Sequence, residues 1–357
     1  MRVGPIPVAD YMAECLLHPK DGYYTTQDPL GTRGDFTTAP EISQMFGELI
    51  GLWLAQVWLA QGRPAPFLLV DLGPGRGTLM ADVMRAASLV PGFCEAARLQ
   101  LVEASPLLCA KQAAALSGFR VRFCDRISSL DDAPLFLVAN EFFDALPIRQ
   151  FVRGVSGWHE RQIGTDGRRL IWGLSPEAPV AALADRWPGT ARGQMVEVSG
   201  PARACAAEIG QRISEFGGVA LIVDYGSWQS LGNTLQAVAG HASVNPLDSP
   251  GQADLSAHVA FHPLARAAAP ARASALVSQG VFLERLGIAQ RTARLAAGLT
   301  GPARHTHMTA HRRLTHPDEM GTLFKVMGLS PPHAPPLLGL EPVSSDGAPD
   351  GAGNDAA

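Results

Sequence analysis

One stretch limits what this chain can become: Leu68-Leu-Val-Asp-Leu-Gly-Pro-Gly-Arg-Gly-Thr-Leu-Met80. The apolar run 68–72 predicts a buried strand. Gly73, Pro74, Gly75 and Gly77 predict a turn, and from Thr78 onward the spacing is helical. A strand, a glycine turn and a helix in succession open a nucleotide-binding α/β unit. Glycine suits the turn because the backbone can approach a ligand with no Cβ between them. The glycine spacing separates ligand classes. A dinucleotide fingerprint is Gly-x-Gly-x-x-Gly, its last glycine packing helix on strand. Here Thr78 holds that last position, and the third glycine comes one residue early, at Gly77.

Asp71-Leu-Gly-Pro-Gly-Arg-Gly77 resembles motif I of the class I S-adenosylmethionine (SAM) methyltransferases. The chemistry agrees. SAM has no pyrophosphate to cradle, but it has an ammonium and a ribose diol, each of which suits a carboxylate. Taken alone, the glycine motif is matched by an ordinary tight strand-to-helix turn. Downstream, the apolar run 99–103 ends in Glu103, followed by a helix from about Ser105. An acid at that strand end accepts hydrogen bonds from ribose hydroxyls. The competing reading, a helix-start acid favoured by the macrodipole, is weaker with Asp71 and the glycines upstream.

The alternation continues. Residues 119–123 read as a third strand closing on Asp125, a candidate for the adenine amino group; a simple turn aspartate is the other reading. Residues 135–139 read as a fully apolar fourth strand ending in Asn140-Glu-Phe-Phe-Asp144. In open α/β sheets ligands sit beyond the carboxyl ends of the strands, so Asp71, Glu103, Asp125 and Asn140 are expected to face one crevice. Asn140-Glu-Phe-Phe stands where amino-group methyltransferases often carry Asn/Asp-Pro-Pro-Tyr/Phe, with Glu141-Phe142 replacing the prolines. Glu141 and Asp144 are the candidate acceptor-side carboxylates, against a reading as helix N-terminal acids.

The expected fold is a class I methyltransferase: α/β, Rossmann-like, with a mostly parallel sheet and helices on both faces. Residues 1–62 read as an N-terminal helical arm, with a helix over 7–17 and a long helix opened by Pro40-Glu41. The core is expected over 63–147 and 194–340. Residues 148–193 read as a strand-rich insertion, with Asp166-Gly167 as a hairpin turn. A helix is expected over 200–216 and a buried strand over 218–223, ending in Asp224-Tyr225-Gly226. Residues 232–251 read as loop-rich, Asp254 as either a functional acid or a local cap, the cap favoured, and His258 as a candidate base that is more often structural. His305, His307 and His311 lack a standard metal spacing and cysteine or acidic co-ligands, so no metal is expected. Residues 341–357 read as a disordered tail.

Composition narrows the class further. Charged residues make up 17% of the 357, below the roughly 25% usual in globular chains. The net charge of −4 implies no general attraction to nucleic acid. Cys15, Cys94, Cys109, Cys124 and Cys205 are scattered, without a Cys-x-x-Cys. That argues for a reducing compartment. With no visible signal peptide and no apolar run of membrane-spanning length, a cytoplasmic protein without membrane insertion is expected.

Longer runs carry a sharper resemblance. Gly22-Tyr-Tyr24, the run from Gly34-Asp-Phe-Thr-Thr38 through Glu48, the glycine motif, residues 139–148, Trp158-His-Glu-Arg161, Asp224-Tyr-Gly226, Thr234-Leu-Gln-Ala-Val238, residues 253–259 and residues 320–327 are similar to the MidA-like family of SAM-dependent methyltransferases. The resemblance covers about residues 3–330. This family is related to a mitochondrial complex I assembly factor that methylates arginine. The resemblance therefore implies SAM as cofactor and a protein arginine as acceptor, within a complex I peripheral-arm subunit or another protein during assembly. Glu141 and Asp144 would grip the guanidinium, with the acids at 160 and 224 in reserve, and the loop carrying Gly34 and Thr38 would close over the cofactor. Two alternatives stand beside it: a non-catalytic SAM-binding assembly factor, and a nicotinamide-dependent oxidoreductase, against which Thr78 counts.

Overall fold

The computed structural model describes residues 4–26, 37–184 and 186–340. Gly34 and the tail 341–357 lie outside the described residues. The central sheet is built from β1 (Phe67–Leu72), β2 (Ala97–Val102), β3 (Val121–Cys124), β4 (Leu135–Asn140), β5 (Gly218–Ser227) and β6 (Phe324–Ser330). They lie in the order β6-β5-β4-β1-β2-β3. All the pairings are parallel except β5 with β6. Every residue of β1 and β4 is buried, as a sheet covered on both faces requires. Their unbroken apolar runs follow from that.

The principal helices are α1 (Val8–Leu17), α2 (Gln44–Ala60), α3 (Thr78–Ala87), α4 (Pro106–Ala115), α5 (Gly200–Phe216) and α6 (Gly301–Thr315). On one face of the sheet, α2 and α3 bury Trp53, Trp58, Met80 and Val83 against Phe67, Phe136 and Leu221. On the other, α5 buries Ala206, Ile209 and Ile213 against Leu68, Leu137 and Ile222. The connections run to opposite sides of β1 and β4, so the sheet has its topological switch point between them.

The long helix expected from Pro40 is interrupted. Ala39–Ile42 forms a single turn, Ser43 is extended at φ −161°, and its side chain accepts the Met45 N–H to start α2. A serine that can satisfy a free helix-start N–H competes well with a helix interior. The arm 1–62 is thereby shared between two packing units: α2 covers the central sheet, whereas α1 packs with Ile148, Ile163, Leu235 and Leu255. Ile6 and Pro7 even pair with Ile163 and Gln162 of the insertion, whose sheet comprises Arg149–Arg153, Trp158–Thr165, Leu170–Leu174 and Met195–Val198.

The loop-rich stretch 232–251 also holds a hairpin. Gln236–Ala239 forms antiparallel pairs with both Ala242–Val244 and Asp254–Ser256. Gly240 (φ 56°) and His241 (φ 61°) make the reversal, and consecutive positive φ values are what a tight hairpin with right-twisted strands needs. Such short strands carry too little alternation to be read in advance. β5 also runs further than expected, because Tyr225 still pairs with Phe324 and Gly226 with Val259. Asp224, Tyr225 and Gly226 therefore lie inside the strand.

Gly210 fixes the fit of α5 to the chain beyond helix Phe261–Ala267. A Cβ there would stand 1.9 Å from the Ala268 carbonyl oxygen. Gly210→Ala would gain helix propensity of about 1 kcal/mol, yet the clash is with rigid backbone, so overpacking of roughly 1–3 kcal/mol should win. The expected outcome is a lower urea midpoint with an unchanged slope.

Candidate active site

A cavity of about 850 Å³ opens at the carboxyl ends of β1, β2, β4 and β5. Its first half is the glycine turn. Gly73, Gly75 and Gly77 all have positive φ (61°, 56° and 85°). A Cβ on Gly73 would meet the Phe142 ring at 2.9 Å, and one on Gly77 would meet Gln112 Cα at 3.2 Å. The turn is held by the Gly77 N–H on the Pro74 carbonyl (2.9 Å) and the Gly73 N–H on the Val102 carbonyl (3.0 Å). Gln112 of α4 ties turn to strand end, its amide donating to the Gly75 carbonyl (2.8 Å) and to Glu103 Oε2 (3.0 Å).

Asp71 and Glu103 stand beside that turn. Asp71 is 1% exposed, and its Oδ2 has no hydrogen-bond partner among the described residues. Burial, then the nearby Glu103, pushes its carboxyl well above the usual range. Glu103 is raised by burial and steadied by the Ser105 N–H (2.8 Å) and Gln112. Two desolvated acids by an open turn form a site waiting for positive charge and hydroxyl donors. Asp125 lines the cavity differently. It is exposed, and Arg126 and Ser129 pull it down to about 2. Thr38 also lines the wall, just before the turn Ala39–Ile42, whose Glu41 accepts from Thr78 and pairs with Arg76 at 3.7 Å.

The second half is acidic as well. Glu141 follows β4 with φ +52°, a left-handed conformation for a residue with a side chain. Its N–H bonds the Val223 carbonyl (2.9 Å), while its Oε1 accepts from the Ala39 N–H (3.0 Å) and the Asn140 amide (3.0 Å). Asn140 Oδ1 is buried without a partner among the described residues. Burial, and then Asp144, pushes Glu141 up to about 7. Burial likewise raises Asp144 to about 6, against hydrogen bonds from Tyr225 and the Ala145 N–H.

Of the reserve acids, Asp224 is wholly buried. Its Oδ2 accepts the N–H groups of Phe143 (2.9 Å) and Asp144 (3.3 Å), and its Oδ1 that of Tyr225 (2.9 Å). Its work is positional. Glu160 does not join the site. It pairs with Arg149 in the insertion at 2.6 Å, because Arg149 lies two residues from Phe151, the cross-strand partner of Glu160, and so shares its sheet face. Asp254, read as a functional acid or a local cap, starts a strand, lines the cavity and accepts the Tyr24 hydroxyl at 2.7 Å. His258 lines the cavity edge-on to Tyr225 at 5.4 Å, its ring pushed toward neutrality by burial. Tyr24, Gln112, Gln236 and Ser256 were not singled out from sequence. Tyr24, Gln236 and Ser256 lie within runs that carry the resemblance, and Gln112 lies four residues beyond Leu108 on the same buried helix face.

The comparisons with known proteins agree with this geometry. A family model described as S-adenosyl-L-methionine-dependent methyltransferase matches residues 49–279. The chain belongs to this family. Protein arginine methyltransferase NDUFAF7, mitochondrial, of Mus musculus is 37% identical over 92% of this chain and 81% of its own length. The Drosophila melanogaster homolog is 35% identical over 93% and 83%. A crystal structure from Burkholderia thailandensis, bound to S-adenosyl-homocysteine, superposes with a TM-score of 0.81 at 28% identity, covering 94% of this chain and 90% of that one. The protein is thus a SAM-dependent methyltransferase of Rossmann-like α/β fold. The relatives are described as mitochondrial, which overturns the cytoplasmic expectation. Scattered free cysteines report a reducing environment rather than a named compartment. No described helix is long and apolar enough to cross a membrane.

The residues present fit SAM. The orphaned Asp71 oxygen suits its ammonium and Glu103 its ribose diol, and Gly73 and Gly75 line the cavity beside them. Gly75→Val places a branched side chain at φ +56° within that turn. Calorimetric titration should find S-adenosylhomocysteine binding the wild type with micromolar affinity, about −8 kcal/mol, and not measurably binding the variant.

Proposed function

We propose that this methyltransferase transfers methyl groups to arginine side chains of a protein. The observation that carries the reading is the pair Glu141 and Asp144 in the second half of the cavity, desolvated and held near 7 and 6. Carboxyls so raised are short of positive charge. A guanidinium stays protonated in water and offers planar, paired N–H donors to carboxylates. The names of the mouse and fly relatives support the same reading.

When bound, SAM supplies a methyl group already activated by its sulfonium. What remains for the protein is alignment. Glu141 and Asp144 fix the guanidinium plane and concentrate lone-pair density on the attacking nitrogen. That nitrogen loses one proton as it gains the methyl group, and Glu141, with a carboxyl near 7, is placed to hold it. The Asn140 amide and the Ala39 N–H keep Glu141 in position. The resemblance to a complex I assembly factor directs the choice of acceptor to peripheral-arm subunits of respiratory complex I, and the arm 1–62 and insertion 148–193 supply surface for a protein-sized acceptor.

Labelled-methyl transfer to isolated peripheral-arm subunits tests the reading. Glu141→Gln should abolish transfer while S-adenosylhomocysteine affinity stays within about twofold of wild type, since a 1.4 kcal/mol loss would already be tenfold. Lost cofactor affinity would move Glu141 to the cofactor side, and a wild type that binds SAM yet labels no subunit would favour the non-catalytic assembly factor.

The pH dependence has a definite sign. Above the ordinary carboxyl value of 4.5, the unfolded chain has released the Glu141 proton while the unliganded fold keeps it up to about 7. Glu141 therefore makes the empty enzyme less stable as pH rises from 4.5 to about 7. Cation binding runs the other way, and kcat/KM for the acceptor should climb over that interval and level off above it. A flat profile through that interval would remove Glu141 from the acceptor side.

A further inference from the structure

The acidic half of the cavity contains more carboxylates than the pair at the end of β4, and their surroundings sort them. Asp224 spends both oxygens on backbone N–H groups and does not line the cavity. Asp144 lines it but already takes the Tyr225 hydroxyl and the N–H of Ala145. Glu141 lines it with Oε1 occupied by the Ala39 N–H and the Asn140 amide, neither of which falls on Oε2. Asp254 lines the same space from the strand Asp254–Ser256, is 8% exposed, and lies close enough to Glu141 to raise its proton affinity. The Tyr24 hydroxyl donates to Asp254 Oδ1 at 2.7 Å. Tyr24 is itself anchored, its ring edge-on to the fully buried Tyr23 at 5.3 Å.

A separate observation points to a donor-rich ligand between these groups. Asn140 is 8% exposed, lines the cavity, and leaves Oδ1 buried without a partner among the described residues. An orphaned buried acceptor is costly, and a guanidinium has five N–H donors to satisfy such acceptors.

We infer that the arginine side chain is seated between Glu141 and Asp254, with Asn140 Oδ1 as a third acceptor and Tyr24 as the residue that positions Asp254. Asp144, which also takes the Tyr225 hydroxyl, borders the seat beside Glu141. This inference rests on the arginine reading and extends it. Two carboxylates on the wall of one cavity offer a guanidinium several acceptors for its planar, paired N–H donors, whereas a lysine ammonium is a point charge. Both Asp254 and Tyr24 come from outside the parallel core, so the choice of acceptor is set by the hairpin and the N-terminal arm.

The test uses the full chain with SAM, a library of arginine-containing peptides and the matched lysine-substituted library. Asp254→Asn keeps shape and removes charge. It should lower kcat/KM for arginine peptides about 100-fold, with S-adenosylhomocysteine affinity within about twofold. Tyr24→Phe should raise KM for the same peptides about fivefold, the worth of one hydrogen bond, and leave kcat and cofactor affinity as they are. A merely structural role would move kcat, cofactor affinity and melting temperature together, and that outcome would overturn the assignment. Wild-type kcat/KM retained in Asp254→Asn would sink the seat while leaving the arginine reading intact. Wild-type transfer confined to the lysine library would sink both.

Discussion

The acceptor side of the cavity depends on one buried carboxylate that faces no ligand. Asp224 gathers the N–H groups of Phe143 and Asp144, which leave β4, and of Tyr225 beside it. Backbone donors left without acceptors in a dry interior are costly, so this arrangement fixes the path of the chain where Glu141 turns into the left-handed region. Parallel pairing of Val223 with Asn140 sets the register. From it follow the direction of Glu141, the placing of Asp144 and the anchoring of Tyr225. Asp224 is raised by burial, then by Asp144 and Glu141, so the acids crowd negative charge into one buried region.

The two halves of the site were unequally legible in the sequence, for a physical reason. The cofactor half is made of strand ends and the turns that follow them. Asp71, Glu103 and the glycines are thus placed by local geometry, and apolar runs followed by an acid reveal them. The acceptor half is made by chain segments meeting from afar. Tyr24 meets Asp254, and Asp224 meets Phe143, through contacts that no local pattern announces. Asp254 reads as a cap in isolation and becomes a wall residue only once the hairpin 236–244 brings it inward. Ser43 shows the same limit at smaller scale: Pro40-Glu41 is sound helix-start chemistry, and yet a better cap three residues on starts a second helix.

Glu48 in the packed face of α2 takes both Arg85 of α3 and Arg291, with Arg291 Nε at 2.7 Å, so the helices covering the sheet are cross-linked by charge as well as by apolar contact. Carboxylates at Glu141 and Asp144 that are desolvated without a cation weaken the empty enzyme, a common cost of preorganised sites. Burial across both faces of the sheet, from Trp53 and Phe136 on one side to Ile209 and Ile222 on the other, offsets it.

The Tyr24–Asp254 contact spans 230 residues of sequence, and this has a consequence for how the molecule comes into being. Closing so long a loop carries an entropic cost that only later contacts repay. The glycine turn, β1, β2 and α4 lie close together along the chain and can assemble early during synthesis. The acceptor wall cannot exist until the hairpin has emerged and met an arm made at the very start. A growing chain therefore completes the segments of the glycine turn well before it can close the Tyr24–Asp254 contact.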